Sequence, residues 1–538
     1  MEARQPDSTP PTVQKAARPS SDKLSDVLSK RSSQELIIAF MGAVGCGLAR
    51  AITECETQLK ATGYQVERIK LSRFIEAQIM SKTVGISESD HEPRYLRNQS
   101  GGNELRRTYG TEVLAEYGIE QITRHRLAND PDSKELHKPT SRVAYLIDQI
   151  KHPDEIHLLR MVYRSLFYLV GVMSTQNHRK QRLQDEGLRT DQTEIIIERD
   201  RKEIDRFGQQ LEQAFKLADY FVHNPRGDDN ILTGQLQRFL ALIHGQHGNT
   251  PTRHEYAMYV AYASAMQSSC LSRQVGAVIT DRTGHVIATG TNDVPKYGGG
   301  LYETDHTNDD RCFKNRQKCD NTAQKALRKS RIKESIKEAL PQIFSMTPRA
   351  IEGGYDEQIN KLANAIYRES GIPDLIEFSR AVHAEMDALI SLTRGGSGST
   401  VGGNLYTTTF PCHNCARHIV AAGIDNVYYI EPYEKSLASI AHSDSIELLD
   451  HDHETSRANE VQEKVRFIHF SGVGPRLYPY LFQNAGGRKD ENGTMITPSQ
   501  ATSTKVIQEY LDSYRAFELK VARNFSGKFP IHQASVDP

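Results

Sequence analysis

Apolar positions in this chain follow two rhythms, short unbroken runs and stretches repeating every three to four residues, and their alternation predicts the architecture. "LIIAFMGAV" (36–44) is an unbroken run flanked by glycines, the pattern of a buried strand entering a loop. A helix to about Thr62 and a strand around "YQVERIKL" follow, a β-turn-α-β opening that suits a parallel sheet. Further strands are expected at "RVAYLID" (142–148) and "ADYFVHN" (218–224), with helices over 154–164 and 195–215. Around "HGQHGNTPT" (244–252) the chain turns to Gly, Asn, Thr and Pro, which marks a boundary.

Beyond it a helix is expected over 254–269, then two strands in "QVGAVITDRTGHVIATGTN" joined by the turn Asp281 to Gly284. Residues from about 296 to 375 interrupt this half as an insertion containing the basic helix "ALRKSRIKESIKEAL". The pattern resumes with a helix over 380–392, the strand "NLYTTTF", a helix from Pro411 to Ala422 and the strand "NVYYIEPY". The reading is therefore α/β throughout. It divides into a tail over 1–32 with no apolar period, a first domain over 33–248, a second over 249–485 and an extension over 486–538.

Composition narrows the function. A chain of 538 residues with 67 Lys+Arg against 68 Asp+Glu has no footprint for a long polyanion, although a small nucleotide is compatible. Seven scattered cysteines favour a reducing compartment, and the early apolar run is too short for a bilayer, so a cytoplasmic protein with no membrane partner is expected.

The chemistry concentrates in two stretches. In "RAVHAEMDALI" (380–390), Met386, Leu389 and Ile390 mark the buried helix face and leave His383 and Glu385 in the first turn. In "TTTFPCHNCARHIVAAGI", Pro411 suits the first helical position, Cys412 and Cys415 share a face, and Gly423 suits the stop. A catalytic zinc takes three nitrogen or thiolate ligands and keeps a fourth position for water. His383, Cys412 and Cys415 supply the three, helix N-termini favour the thiolates, and Glu385 is left to carry protons. A structural zinc would need a fourth ligand, for which His413 and His418 are the candidates.

The spacing H-x-E followed by P-C-x-x-C is the signature of zinc nucleobase deaminases. The likeness extends to "SSCLSRQVGAVITDRTGHVIATGTNDVP" before the motif and to "EPYEKSLASIAHSDSI" and "FSGVGPRLYPYLF" after it, so the second half resembles the cytidine and deoxycytidylate deaminase superfamily. With a first domain like a P-loop kinase, the chain is similar to the bacterial anti-phage dCTP/dCMP deaminases of the AvcD type. The resemblance implies a P-loop kinase-like parallel sheet domain followed by an α/β/α deaminase domain with a mixed sheet. It also implies conversion of deoxycytidine nucleotides to deoxyuridine nucleotides, depletion of that pool during infection, homo-oligomers, and control by an RNA or protein inhibitor. Carried onto this chain, Glu385 is the proton shuttle, Asn292 holds a sugar hydroxyl, the Ala384 amide meets the base carbonyl, and Arg273, Lys435 and Ser436 contact phosphate.

Two other readings stay open. An RNA or single-stranded DNA deaminase would need a basic, aromatic-lined channel, against which stand the near-zero net charge and the absence of Trp. A nucleotide-sensing interaction protein would have a decayed deaminase, against which stand the four intact motif residues.

"FMGAVGCGLAR" (40–50) follows a strand and opens a helix, the setting of a phosphate-cradling loop, with Gly42, Gly45 and Gly47 as its glycines. Leu48 and Ala49 stand where the lysine and hydroxyl of a working P-loop belong, so nucleotide binding is expected here without phosphoryl transfer. Asp148 ends a strand either as a turn residue or as an acidic metal contact. Cys312 and Cys319, with Cys270 and His306, are candidates for a second, structural zinc.

Overall fold

Two six-stranded sheets carry the molecule, and the chain crosses between them more than once. The structure is a computed structural model that describes residues 33–81, 93–129, 142–201, 207–227, 229–246, 248–344, 355–395, 398–432, 436–449, 463–483, 507 and 511–529. The expected tail over 1–32 lies outside the described residues.

The first sheet contains β1 (Leu36–Gly42), β2 (Gln65–Lys70), β3 (Val143–Asp148), β4 (Phe167–Met173) and β5 (Tyr220–His223), all parallel, in the order β5-β4-β1-β3-β2. Every residue of β1 is buried, as its unbroken apolar run requires when helices cover both faces of a parallel sheet. The sequence reading omits β4, whose run "FYLVGVM" follows the helix Pro153–Tyr163 through one 3₁₀ turn without a glycine or proline to separate them. The helix expected over 195–215 is two pieces, Thr190–Arg201 and Leu211–Phe215.

The expectation of an all-parallel first sheet needs correcting. A short strand from far along the chain, Gly472–Val473, pairs antiparallel with β5 and makes the sheet mixed.

The second sheet contains β6 (Gly276–Thr280), β7 (Val286–Thr291), β8 (Asn404–Thr409), β9 (Asn426–Glu431), β10 (Ile446–Leu449) and β11 (Val465–His469), so that Gly472–Val473 is β12. Its order is β10-β11-β9-β8-β6-β7, antiparallel across β6 and parallel from β8 to β10, a mixed sheet as expected.

The two sheets share packing. One buried apolar cluster runs from Ile37 and Leu169 through Phe215 and Phe221 to Ala257, Tyr406, Tyr428, Ile468 and Phe470. A second buried cluster, on the opposite face of the second sheet, holds Ala277, Leu405 and Val427 together with Ala384, Cys412 and Cys415. The helix Leu511–Lys528, which the sequence reading put in a separate extension, packs on the helix Val113–Asn129. There Arg126 pairs with Glu35 at 2.9 Å and with Glu518, while Tyr514 donates to Glu35 at 2.7 Å.

Glu255 ties the halves. As the N3 residue of the helix Arg253–Ala265 it caps Thr252, and its carboxylate also accepts from Arg238 at 2.6 and 2.8 Å and from the Val473 N–H at 2.8 Å. Gly472 has φ 114°, and a Cβ there would lie 2.6 Å from the same carboxylate, so glycine is required on both counts.

His469 lies on the same seam, with Nδ1 donating to the Phe470 carbonyl at 3.0 Å and the ring against Phe221 and Tyr429. Burial pushes its imidazole down to about 4, below its usual value of about 6.5. The folded state therefore resists a proton that the unfolded chain accepts: the stability is complete above about pH 6.5 and is lost as pH falls towards 4. Thermal melts of His469→Gln should show a smaller loss of melting temperature between pH 7.5 and pH 5 than wild type, and parallel losses would contradict this account.

Candidate active site and metal centre

Close approach of a helix to the second sheet creates the site. The helix Ala384–Gly395 lies on β7 so tightly that a Cβ at Gly290 would sit 2.2 Å from the Ala384 carbonyl oxygen and 2.4 Å from the Ala388 nitrogen. Asp387 fixes the helix by accepting the Thr291 N–H at 3.1 Å, and its own N–H donates to the His383 carbonyl at 2.9 Å. His383 thus stands one residue before the helix and Glu385 in its first turn, although the helix starts later than the expected 380.

The second helix is His413–Ala421, with Cys412 as its N-cap; its Sγ accepts the Cys415 N–H at 3.4 Å. Pro411 therefore lies just before the cap and not at the expected first helical position, because the thiol takes the capping role that an oxygen often fills.

His383 Nδ1 is 3.4 Å from each of the Cys412 and Cys415 sulfurs, and Glu385 Oε2 is 3.5 Å from Cys415 Sγ. Among the described residues, His383, Cys412 and Cys415 are the one group of metal-ligating side chains found within 4.8 Å of one another. The donor set suits zinc: one nitrogen and two sulfurs converge, the three ligands that a catalytic zinc takes. His418, an alternative fourth ligand, turns its Nδ1 to the Asn414 carbonyl at 2.7 Å.

Electrostatics support the same division of labour. The hydrogen bond from Cys415, aided by His383, pulls the Cys412 thiol down to about 4, while that same bond and burial push Cys415 up. A bound dication favours both cysteines as thiolates. Burial raises the Glu385 carboxyl above the ordinary range, so this group is suited to receiving and returning a proton.

A cavity of about 350 Å³ opens onto His383, Ala384 and Glu385. Arg273 and Asn292 line it as well. Asn292 accepts the Val275 N–H at 2.6 Å and donates to the Arg273 carbonyl at 2.8 Å, which leaves one amide hydrogen and one lone pair for a ligand. Arg273 is half exposed, with Glu431 3.7 Å away. Ser436 is not among the lining residues: its hydroxyl donates to the Pro411 carbonyl at 2.8 Å and accepts the Ala438 N–H, so the phosphate role expected for it has no geometric support. Lys435 lies outside the described residues.

Among the wall residues that the sequence reading misses, three are separated from the motif blocks. Asn321 and Lys325, from the helix Asp320–Phe344, and Pro373 all come from the supposed insertion. The second-zinc expectation is not supported by proximity: Cys270, Cys312 and Cys319 line one small cavity without forming a metal-ligating group, and His306 is bonded to Lys296 and Glu303.

Residues 251–431 match the family model described as the cytidine and deoxycytidylate deaminase zinc-binding region. This part of the chain is a domain of that superfamily, which makes the protein a hydrolytic deaminase acting on a C–N bond. Among relatives, the chain is 28% identical to the deoxycytidylate deaminase of Enterobacteria phage T4 over 181 residues, which is 33% of this chain and 78% of the relative. It is also 28% identical to the enzyme of that name from Enterobacteria phage T2 over 182 residues, 33% of this chain and 80% of the relative. A solved dCMP deaminase from cyanophage S-TIM5 aligns over 41% of this chain and 99% of its own at 18% identity, with a TM-score of 0.21, too low to bear on the fold.

Two substitutions test the site. Cys412→Ser should lower the zinc content of the purified protein well below that of wild type, read by elemental analysis, and an unchanged content would remove Cys412 from the ligand set. Gly290→Ala should cost on the order of 1–3 kcal/mol through overpacking, with loss of turnover, whereas wild-type melting and activity would show that the helix does not depend on this contact.

Proposed function

We propose that the protein deaminates a free deoxycytidine nucleotide, dCTP or dCMP, at the cytosine 4-position, releasing ammonia and the deoxyuridine nucleotide. The observation carrying this reading is a buried carboxyl, Glu385, beside the His383, Cys412 and Cys415 group at the end of a nucleotide-sized cavity. Zinc held by the three ligands supplies Lewis acidity that lets water act as a nucleophile near neutral pH.

Glu385 takes the proton of the attacking water, delivers it to ring N3, and carries the second proton to the departing amine. Ala384 supports the base carbonyl through its N–H, and Asn292 offers its remaining amide hydrogen and lone pair to the sugar. Arg273 and Lys325, both in the cavity wall, suit the phosphate end. The resemblance noted in the sequence extends the proposal to depletion of deoxycytidine nucleotides during phage infection.

Purified zinc-loaded protein incubated separately with dCTP, dCMP, deoxycytidine, CTP and a cytosine oligonucleotide should add one mass unit to dCTP or dCMP alone. Glu385→Ala should lower that turnover by roughly 10²–10⁴-fold. Conversion of the oligonucleotide with free nucleotides unreacted would replace this reading by an editing enzyme, and full turnover in the variant would remove the mechanism.

A further inference from the structure

The glycine loop opens beside a cavity of about 220 Å³ that the deaminase reaction does not use. The loop itself is filled from within. The Val44 N–H donates to Asp200 Oδ2 at 2.7 Å, and Lys151 bridges Asp200 Oδ1 at 2.8 Å and the Gly42 carbonyl at 3.0 Å. Asn224 donates to the Cys46 and Gly47 carbonyls at 2.9 and 3.0 Å. A carboxylate thus occupies a loop amide that a phosphate chain would need, and Lys151 neutralises that carboxylate.

The adjoining cavity has different chemistry. Gln99, on the helix Arg94–Tyr109, lines it and is only 3% exposed, yet neither its Nε2 nor its Oε1 has a hydrogen-bond partner among the described residues. The Ser72 hydroxyl in the same wall is buried and likewise has no partner among the described residues. Burying such groups without partners is destabilising, a cost that a polar ligand would relieve.

The same cavity is lined by the N-terminus of the helix Leu48–Ala61, which has neither a side-chain cap nor an acidic residue in its first turn. Lys70 also lines the cavity, with no ion-pair partner among the described residues, while the nearby Asp148 is matched by Arg68 at 3.3 Å. The lining therefore combines groups that favour an anion with the adjacent donor and acceptor of a carboxamide.

We propose that this cavity is a second ligand site, separate from the deaminase centre, that takes a pyrimidine nucleoside monophosphate. The phosphate meets Lys70 and the helix N-terminus, and Gln99 pairs with the amide edge of the base. The volume falls below the usual 300–1,000 Å³ of ligand pockets, which favours a single-ring base and one phosphate over a nucleoside triphosphate.

The test uses the full chain with UMP and dTMP, whose bases lack the amine that deamination removes, and reads calorimetric binding and hydrogen exchange. Binding should protect the loop at 43–49 and the helix Arg94–Tyr109, and should weaken at least tenfold in Gln99→Leu and in Lys70→Gln but not in Cys412→Ser. Gln99→Leu should melt no lower than wild type, since it removes an unpartnered amide; if it does melt lower, Lys70→Gln decides. Unchanged affinity in Lys70→Gln or in a stably folded Gln99→Leu, loss of binding in Cys412→Ser, or equal binding of inorganic phosphate alone would overturn the proposal.

Discussion

The backbone of the helix Ala384–Gly395 touches the backbone of β7, and the catalytic centre depends on that approach. Gly290 removes the only atom that would hold them apart. A matching approach occurs on the other face, where a Cβ at Gly276 would lie 1.9 Å from the Ala261 carbonyl oxygen of the helix Arg253–Ala265. Strands of the second sheet are thus clamped from both sides at sub-side-chain distance. The imidazole of His383 can meet two sulfurs from another helix because the helix that follows it has no room to slide on the sheet.

This clamp separates two tasks. The site lies on the face of the second sheet that carries Ala277, Leu405 and Val427, whereas the face carrying Tyr406 and Tyr428 joins the core shared with the first half. Any influence of the glycine loop on catalysis must therefore pass through the sheet. A contiguous route exists: Asn224 holds the loop from the end of β5, β5 pairs with β12, and β12 follows β11, which lies beside β9 and Glu431. The buried Glu255 carboxylate fastens the same seam, joining Arg238 to Val473.

Much of the site was legible in the chain. His383, Glu385, Cys412 and Cys415 stand at spacings that helix geometry turns into convergence, and β1, β6, β7, β8 and β9 announce themselves by apolar runs. What escaped was whatever lacked a local signal. β4 abuts a helix without a punctuating glycine or proline, and Asn321 and Lys325 reach the substrate cavity from a segment that reads as an interruption. Ser436 is the converse case: its place in a motif block suggested a ligand contact, while its hydroxyl serves the Pro411 carbonyl.

Local order along the chain therefore determined the α/β class and the residue types of a zinc-dependent proton-transfer site, because each follows from periodicity or from spacing within a few turns. Tertiary structure alone decided that β12 crosses to complete the first sheet, that the helix Leu511–Lys528 returns to Arg126 and Glu35, and that Asp200 stoppers a loop more than 150 residues before it. These pairings join distant segments through hydrogen bonds and buried charges whose partners are specified by three-dimensional packing. No periodic pattern in a single chain records which distant group will satisfy a given donor.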